Sequence, residues 1–375
     1  MTAPIAQVVG DRSHIRKVEY RDRASWLLAR HKGIGASEVA AILGMNPYRS
    51  AFAVWAEKVA PEPPADSDEE TEAARWGNIL EEPIAQEVSR RIGRRLVDHG
   101  RHTIFYNDRL SVPLFASLDR EIDPLPWSMA GIAGESRSNC GYFEMSREGW
   151  LNCARPAGHD KESGHDMRRI DPRGPGAYEG KTAGFFVSRE EWADEGPVHH
   201  LVQLQAQLAV LEWSWGLLGG LIAGQKLILH EHVRDDEFIA WMLGRVEWFW
   251  DLVVRKEPPP VDGSDSTAEA IKRLYAKGGG PSIDLPPMAA AWAKQRAEGK
   301  DLEKRGKKLV QEAENLIKAA IGDADVGVLP GGSSGFRWPV VNVKASACPN
   351  CKVVLMEASS HRRLTAFDKS GKGVE

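Results

Sequence analysis

An acid and a lysine separated by one residue, Glu179-Gly180-Lys181, lie within Tyr178 to Thr182, a stretch short enough to form a single strand. Side chains at i and i+2 of a strand point the same way, so Glu179 and Lys181 share one face. A carboxylate there can hold a divalent cation through a hard oxygen. The ammonium can orient or deprotonate an attacking water, or stabilise charge developing on a phosphorane. These are the parts that metal-assisted phosphodiester cleavage needs, and the same spacing alone also fits a solvated ion pair on a surface strand.

Other segments can bring partners to that pair. Phe115-Ala116-Ser117-Leu118-Asp119 is a second apolar stretch ending in a carboxylate, so two strands deliver Asp119 and Glu179 to one cation. Upstream, Trp76, Leu80, Ile84 and Val88 recur at four-residue spacing, which predicts a helix with an apolar stripe. Glu81 borders that stripe as a third acid. Downstream, Leu201, Leu204, Leu208 and Leu211 mark the buried side of a helix opened by Pro197, and Gln205 borders it as a polar group in need of a partner. Near the start, the glycine-bearing loop Gly33-Ile34-Gly35-Ala36-Ser37 enters an apolar helical run, Val39 to Leu43. Such an entry exposes unpaired amides, which suits a phosphate, and Ser37 also fits an ordinary N-cap.

Taken in order, Trp26 to Val39 with Arg30 and Ser37, Trp76-Gly77 with Glu81, Ala116-Ser117-Leu118-Asp119, Glu179-Gly180-Lys181 and Gln203-Leu204-Gln205 resemble the YqaJ-type viral recombinase nucleases. These are related to phage lambda exonuclease, in the restriction-endonuclease-like PD-(D/E)XK class. The resemblance covers roughly residues 20 to 255. It implies magnesium (or manganese) held by Asp119, Glu179 and the Gly180 carbonyl, Lys181 as catalytic lysine, and Glu81 as a helix-borne acid near the metals. It also implies that Arg30, Ser37, Ser117 and Gln205 surround the 5'-phosphate of a DNA end.

Two departures stand out. Where the family usually carries Ser-Pro-Asp-Gly, this chain has Ser117-Leu118-Asp119-Arg120, without the proline and glycine that shape the bend. The middle residue of Glu-x-Lys is Gly180, and glycine weakens a strand interior, which predicts a more flexible metal-binding edge.

The two acids that the resemblance pairs are also far apart in sequence, because an insertion of roughly residues 127–173 intervenes. It is poor in periodic apolar pattern and carries Cys140, Cys153, His159 and His165, spaced C-x12-C-x5-H-x5-H. Two thiolates and two imidazoles in a segment too small for its own core fit a structural zinc site. A hydrogen-bonded loop with incidental cysteines is the alternative. Cys348-Pro349-Asn350-Cys351 has the spacing of a zinc half-site but also fits a simple turn.

A net charge of -4 excludes a wholesale basic DNA coat but not a local basic groove. Candidates are Arg90, Arg91, Arg94, Arg95, Lys304 to Lys308 and His361 to Arg363, each of which also fits a solvated charged face. Four cysteines in 375 residues make no disulfide scaffold, and no signal peptide or bilayer-length apolar run is visible, so the chain reads as cytoplasmic.

The expected fold is α/β: a mixed sheet flanked by helices, with a hairpin insertion and a helical plus small β C-terminal extension. Residues 1–19 read as a tail, 20–255 as the core, 256–325 as a helical extension and 326–375 as a β tail. Leu217 to Val233 predicts two strands, Asp235 to Val254 a helix whose Trp241, Trp248 and Trp250 pack, and Met288 to Ile321 a helical arm or hairpin. The function implied is digestion of linear duplex DNA from a 5' end, leaving 3' strands for a phage-type annealing protein, in a trimer if the lambda relative is a guide. Alternatives are another nuclease of the class, endonucleolytic or single-strand-specific, and a non-catalytic zinc-bearing DNA-binding protein.

Overall fold

The structure, a computed structural model, describes residues 13–63, 71–126, 143–146, 149–153, 167–169, 171, 173–184, 191–278, 280–343, 346–347, 354–356, 359–367 and 373–374. The chain divides into two units, Met1–Gly278 and Gly279–Glu375.

In the first unit, β1 (Ile15–Glu19) leads into α1 (Arg23–His31). Asp22 sets the helix start, because its carboxylate accepts the Ser25 amide at 2.8 Å. Then come β2 (Ile34–Gly35), α2 (Ala36–Ile42), α3 (Ala51–Val59) and α4 (Glu72–Ile92), which stops at Gly93 in the left-handed region. Strands β3 (Arg94–Val97), β4 (Thr103–Asn107), β5 (Leu114–Ala116) and β6 (Arg120–Pro126) follow. Within the insertion, β7 (Phe143–Ser146), β8 (Gly149–Cys153) and β9 (Met167–Arg169) pair antiparallel. The unit closes with β10 (Gly176–Ala183), α5 (Val198–Leu211), β11 (Trp215–Ile222), β12 (Lys226–Val233), α6 (Asp236–Arg255) and α7 (Asp265–Leu274).

The expected mixed α/β core is present. One sheet runs β12-β11-β10-β6-β3 and another β1-β4-β5-β2. The strand with the Glu-x-Lys pair is the middle one of the first sheet, parallel to β11 with Glu179 opposite Leu218, and antiparallel to β6 with Tyr178 opposite Arg120. Parallel neighbours need a crossover, and α5 supplies it. Its near-continuous buried set, including Leu204, Ala206, Leu208 and Leu211, packs with α2, Trp192 and α6 in the larger core cluster. Tyr178, Trp215, Leu217, Ile84 and Val88 make the smaller cluster between β10, β11 and α4.

Some expectations need correction. Ile15–Glu19, read as part of a tail, pairs in register with β4. The α4 stripe is buried at Ile84 and Val88, but Trp76 is 51% exposed and donates to Glu72 one turn before it. On α6 the packed face is Ile239, Met242, Val246 and Phe249, with Trp250 partly buried against the core. Trp241 and Trp248 lie on the outer face instead, beside Phe238 and under the Arg245 guanidinium respectively.

The second unit has α8 (Ala289–Ile321), one uninterrupted helix rather than a hairpin. After it come β13 (Val326–Val328), β14 (Gly335–Arg337), β15 (Val340–Val343), β16 (Ser346–Ala347), β17 (Val354–Met356), β18 (Ser359–Arg362), β19 (Thr365–Phe367) and β20 (Gly373–Val374). They form three separate ladders rather than one small sheet: β13-β14-β19-β20, β15-β18 and β16-β17. Among the described residues, no helix is long and apolar enough to cross a membrane.

Candidate active site

The sheet register brings the acids together across a long sequence gap. Because β6 begins at Arg120 and pairs antiparallel with β10, Asp119 arrives beside the peptide that follows Glu179. Its Oδ2 accepts the Gly180 N–H at 2.8 Å. Glu179 is fully buried at 0% exposure, and its carboxylate accepts from Lys181 Nζ, from Gln203 Nε2 at 2.5 Å and from Gln207 Nε2 at 2.7 Å. Glu81 reaches the same place from α4. A cleft of about 360 Å³ is lined by Glu81, Asp119, Tyr178, Gly180, Lys181 and Thr182, with Gly77 and Asn78 on the α4 side.

Electrostatics follows from this crowding. Burial, and then the Asp119 charge, push the Glu179 carboxyl up to about 7 against the pull of Lys181 and Gln207. For Lys181 burial acts downward, but the charges of Glu179 and Asp119 win and lift it above the ordinary ammonium value. An ammonium held this firmly orients and neutralises better than it accepts a proton.

Gly180 has a steric reason. A Cβ there would lie 2.9 Å from Tyr178 Oη, and one at Gly219 would lie 2.8 Å from it. The Tyr178 ring therefore lies close against both glycines, which makes this strand edge a packed surface rather than a loosened one. Tyr178 Oη is buried without a hydrogen-bond partner among the described residues, and burial, then the Asp119 and Glu179 charges, raise its pKa.

The donors present suit a hard divalent cation. Asp119, Glu179 and the Gly180 carbonyl offer hard oxygen atoms, and two carboxylates with one ammonium leave the site short of positive charge. Glu81 is differently placed: Arg120, which is buried, donates to Glu81 Oε1 at 2.5 Å, to Glu82 Oε2 at 2.8 Å and to the Asp119 carbonyl at 2.5 Å. Arg120 stands where the resemblance implied glycine, and its side chain clamps the chain at the start of β6.

The loop before α2 gathers a second group of polar side chains. The Arg30 guanidinium lies over Trp26 at 4.7 Å and near Phe115 at 5.5 Å, with Nη2 at 3.4 Å from Ser37 Oγ. Gly33 is required here, since a Cβ would meet the Pro113 carbonyl at 2.4 Å and block the pairing of β2 with β5. Buried Glu38 accepts the Gly35 amide at 2.8 Å and Lys58 Nζ at 2.8 Å, with Arg49 at 3.6 Å. Burial would raise the Glu38 pKa, but Lys58, Arg49 and Arg30 bring it below the usual carboxylate range. Ser37 is exposed in the first turn, and the N-cap position belongs to Gly35.

Of the residues expected around a phosphate, Arg30 and Ser37 meet. Ser117 instead turns its hydroxyl to the Thr103 carbonyl at 3.0 Å, and its own carbonyl accepts from Gln207 at 3.2 Å. Gln205 points elsewhere: its amide donates to the Val233 carbonyl at 2.8 Å and accepts the Asp235 N–H at 3.0 Å, bracing the turn into α6. A helix advances about 100° per residue, so residues two apart face opposite ways while Gln203 and Gln207, four apart, share a face. That i, i+4 pair of glutamines was the legible signal for the Glu179 contacts.

His199 and His200 continue the same face towards the start of α5, with ring centroids 4.0 Å apart. Burial lowers the pKa of both, that of His200 to about 3, with the Lys181 charge acting in the same direction. They offer neutral imidazoles beside the ammonium.

Cys140, His159 and His165 lie outside the described residues, as do Cys348 and Cys351, and Cys153 ends β8. Among the arginines considered for a basic groove, Arg90 and Arg91 are paired with Glu87, Arg94 with Asp171 and Arg95 with Asp123.

The model of the YqaJ-like viral recombinase domain family matches residues 25–214. The protein YqaJ of Bacillus subtilis (strain 168) is 27% identical over 348 residues, covering 91% of this chain and 89% of that protein. Two crystal structures of LHK-Exo are similar in outline. The complex with dAMP has a TM-score of 0.40 at 15% identity, and the structure described as an alkaline exonuclease from Laribacter hongkongensis has a TM-score of 0.37 at 16% identity. Each covers 67% of this chain and 97% of that one.

Proposed function

The chain belongs to the YqaJ-like viral recombinase domain family, and from that premise we propose that it is a deoxyribonuclease whose cleft between α4 and β10 hydrolyses DNA phosphodiester bonds. The observation that carries this reading is an open cleft lined by Asp119 and Lys181, with the Glu179 carboxylate buried behind that wall and accepting from Lys181. Asp119, Glu179 and the Gly180 carbonyl would hold magnesium or manganese, which supplies Lewis-acid polarisation of the phosphoryl oxygen when bound. Gln203 and Gln207 fix the Glu179 carboxylate in one orientation. Lys181 keeps its proton and orients the attacking water while countering charge on the phosphorus oxygens. Glu81, clamped by Arg120, lines the approach to the acids.

The finer reading is exonucleolytic: digestion of linear duplex DNA from the 5' end, leaving 3' single strands for an annealing protein, with assembly into a homo-oligomer around the duplex. Arg30, flanked by aromatic rings and beside Ser37, supports a pocket for the 5'-phosphate. The insertion is proposed to carry structural zinc on Cys140, Cys153, His159 and His165, and elemental analysis of the purified chain should then find one zinc per chain.

The deciding experiment is digestion of an end-labelled linear duplex with and without magnesium. Release of label from the 5' end first, only with the metal, and lost in Lys181→Ala, is the expected result. Equal degradation by Lys181→Ala overturns the mechanism, and cutting of a covalently closed circle overturns end dependence. Removal of the 5'-phosphate should slow the wild type and leave Arg30→Ala indifferent.

A further inference from the structure

Helix α8 runs 33 residues, about 50 Å, without a single buried side chain among the described residues. Its apolar residues are nonetheless not scattered. Leu302, Leu309 and Leu316 recur every seven residues and are 61%, 67% and 67% exposed. Three residues before each successive leucine, the same seam carries Gly299, Gly306 and Ala313, with Ala320 continuing it. Alternating three- and four-residue steps of this kind keep one stripe on one side of a helix and make a coiled-coil seam.

The glycines make little sense in a solitary helix. Each costs roughly 1 kcal/mol against alanine in a helix interior. A Cβ at Gly299 or Gly306 would meet nothing within 4 Å, so neither is needed for packing or for an unusual backbone conformation within the chain. Beside a row of leucines they leave hollows where the side chains of a second helix can enter.

The charges choose the partner and its direction. In a parallel pair of two copies, Glu298 of one helix would face Glu303 of the other, a like-charge contact. In an antiparallel pair with leucine opposite small residue, Leu309 meets Gly306 of the other copy, Leu316 meets Gly299 and Leu302 meets Ala313. The flanking positions then set Arg305 against Glu312 twice, by symmetry. We infer that α8 is a self-association element that pairs antiparallel with α8 of a second copy of this chain, through the seam Gly299-Leu302-Gly306-Leu309-Ala313-Leu316.

Sedimentation velocity of the full chain across a concentration series tests this. The wild type should self-associate, and Leu302→Glu/Leu309→Glu/Leu316→Glu should remove one association step while leaving the helical circular dichroism unchanged, since those leucines are exposed. Arg305→Glu and Glu312→Arg should each raise the Kd about tenfold or more, because each turns two attractive contacts into repulsive ones. Together they should return it to within a few-fold of wild type. Gly306→Leu should increase helix content yet weaken association, an outcome that a purely structural role for α8 would not produce. A wild-type monomer at all soluble concentrations overturns the proposal, as does an assembly indifferent to the leucine substitutions. Failure of the double charge swap to recover overturns the antiparallel register.

Discussion

Gln207 Nε2 donates to Glu179 Oε2 at 2.7 Å and so ties helix α5 to the central strand of the sheet. The same nitrogen lies 3.2 Å from the Ser117 carbonyl, two residues before Asp119. One amide therefore spans both strands that deliver the acids. Gln207→Leu should cut the rate of duplex digestion by roughly ten- to a hundredfold, since a buried carboxylate loses one of its few donors. Gln205→Leu, on the opposite side of the helix, should stay within about threefold of wild type, because its contacts brace only the turn into α6. Single-turnover rates on one linear duplex compare the two, and equal losses would contradict the geometry.

Replacing Lys181 separates two contributions. Without the ammonium, the Glu179 carboxyl loses a charge that lowers its pKa and climbs further above 7. Lys181→Met should then bind magnesium more weakly at neutral pH, and raising the pH should recover that affinity. Turnover at saturating metal should stay depressed by about a hundredfold or more, because nothing replaces the charge beside the phosphate. Recovery of turnover with pH would reduce Lys181 to an electrostatic helper of Glu179.

The buried acid also sets a pH dependence. Glu179 titrates near 7 in the absence of metal, above the ordinary 4.5. A raised folded-state pKa means that its contribution to stability is fully present below about 4.5 and is lost as pH rises through about 7. Metal binding requires the deprotonated acid, so magnesium affinity should rise by up to tenfold per pH unit below 7 and level off above it. Calorimetric titrations in buffers of different ionisation enthalpy should show proton release that fades by pH 8. In thermal melts without metal, Glu179→Gln should gain on the wild type as pH rises from 5 to 8, and excess magnesium should stabilise only the wild type. Proton-independent magnesium binding across this range would remove Glu179 from the ligand set.

What the residues disclosed in sequence was the part of the site governed by short-range periodicity. Glu179 and Lys181 share a face because strands alternate, and Ile84, Leu204 and Leu208 are buried because helices repeat every 3.6 residues. Long-range pairing was not legible in this way. That Asp119 meets the Gly180 amide depends on the β6–β10 register across the insertion, and that Glu38 anchors Lys58 depends on how α2 meets α3. The leucine stripe draws attention to Gln205, which borders it, whereas the Glu179 contacts come from Gln203 and Gln207, and the deciding fact is which side of α5 the sheet covers. The four-residue spacing places Trp76 inside and the amphipathic pattern places Trp241 inside, but the two are 51% and 48% exposed, because periodicity fixes a face and not what that face meets.

Arg120 gives the sharpest test of how this site compensates for its missing glycine bend. Its guanidinium joins Glu81, Glu82 and the Asp119 carbonyl, so it neutralises two acids and anchors the backbone that carries a third. Arg120→Gly should destabilise the fold by about 1 to 2 kcal/mol, because the packed guanidinium and its bond to the Asp119 carbonyl are lost while the solvent-accessible Glu81 and Glu82 are rehydrated. It should also leave more negative charge at the cleft, so magnesium binds a few-fold more tightly. Turnover should nevertheless fall, since Asp119 loses the clamp that sets its approach to Gly180. Arg120→Lys keeps the charge but cannot hold three oxygens in one plane, so it should restore stability more fully than turnover. Tighter metal with slower catalysis is a combination that simple unfolding does not give. If Arg120→Gly lowered metal affinity and turnover in proportion, the arginine would be supporting the fold alone.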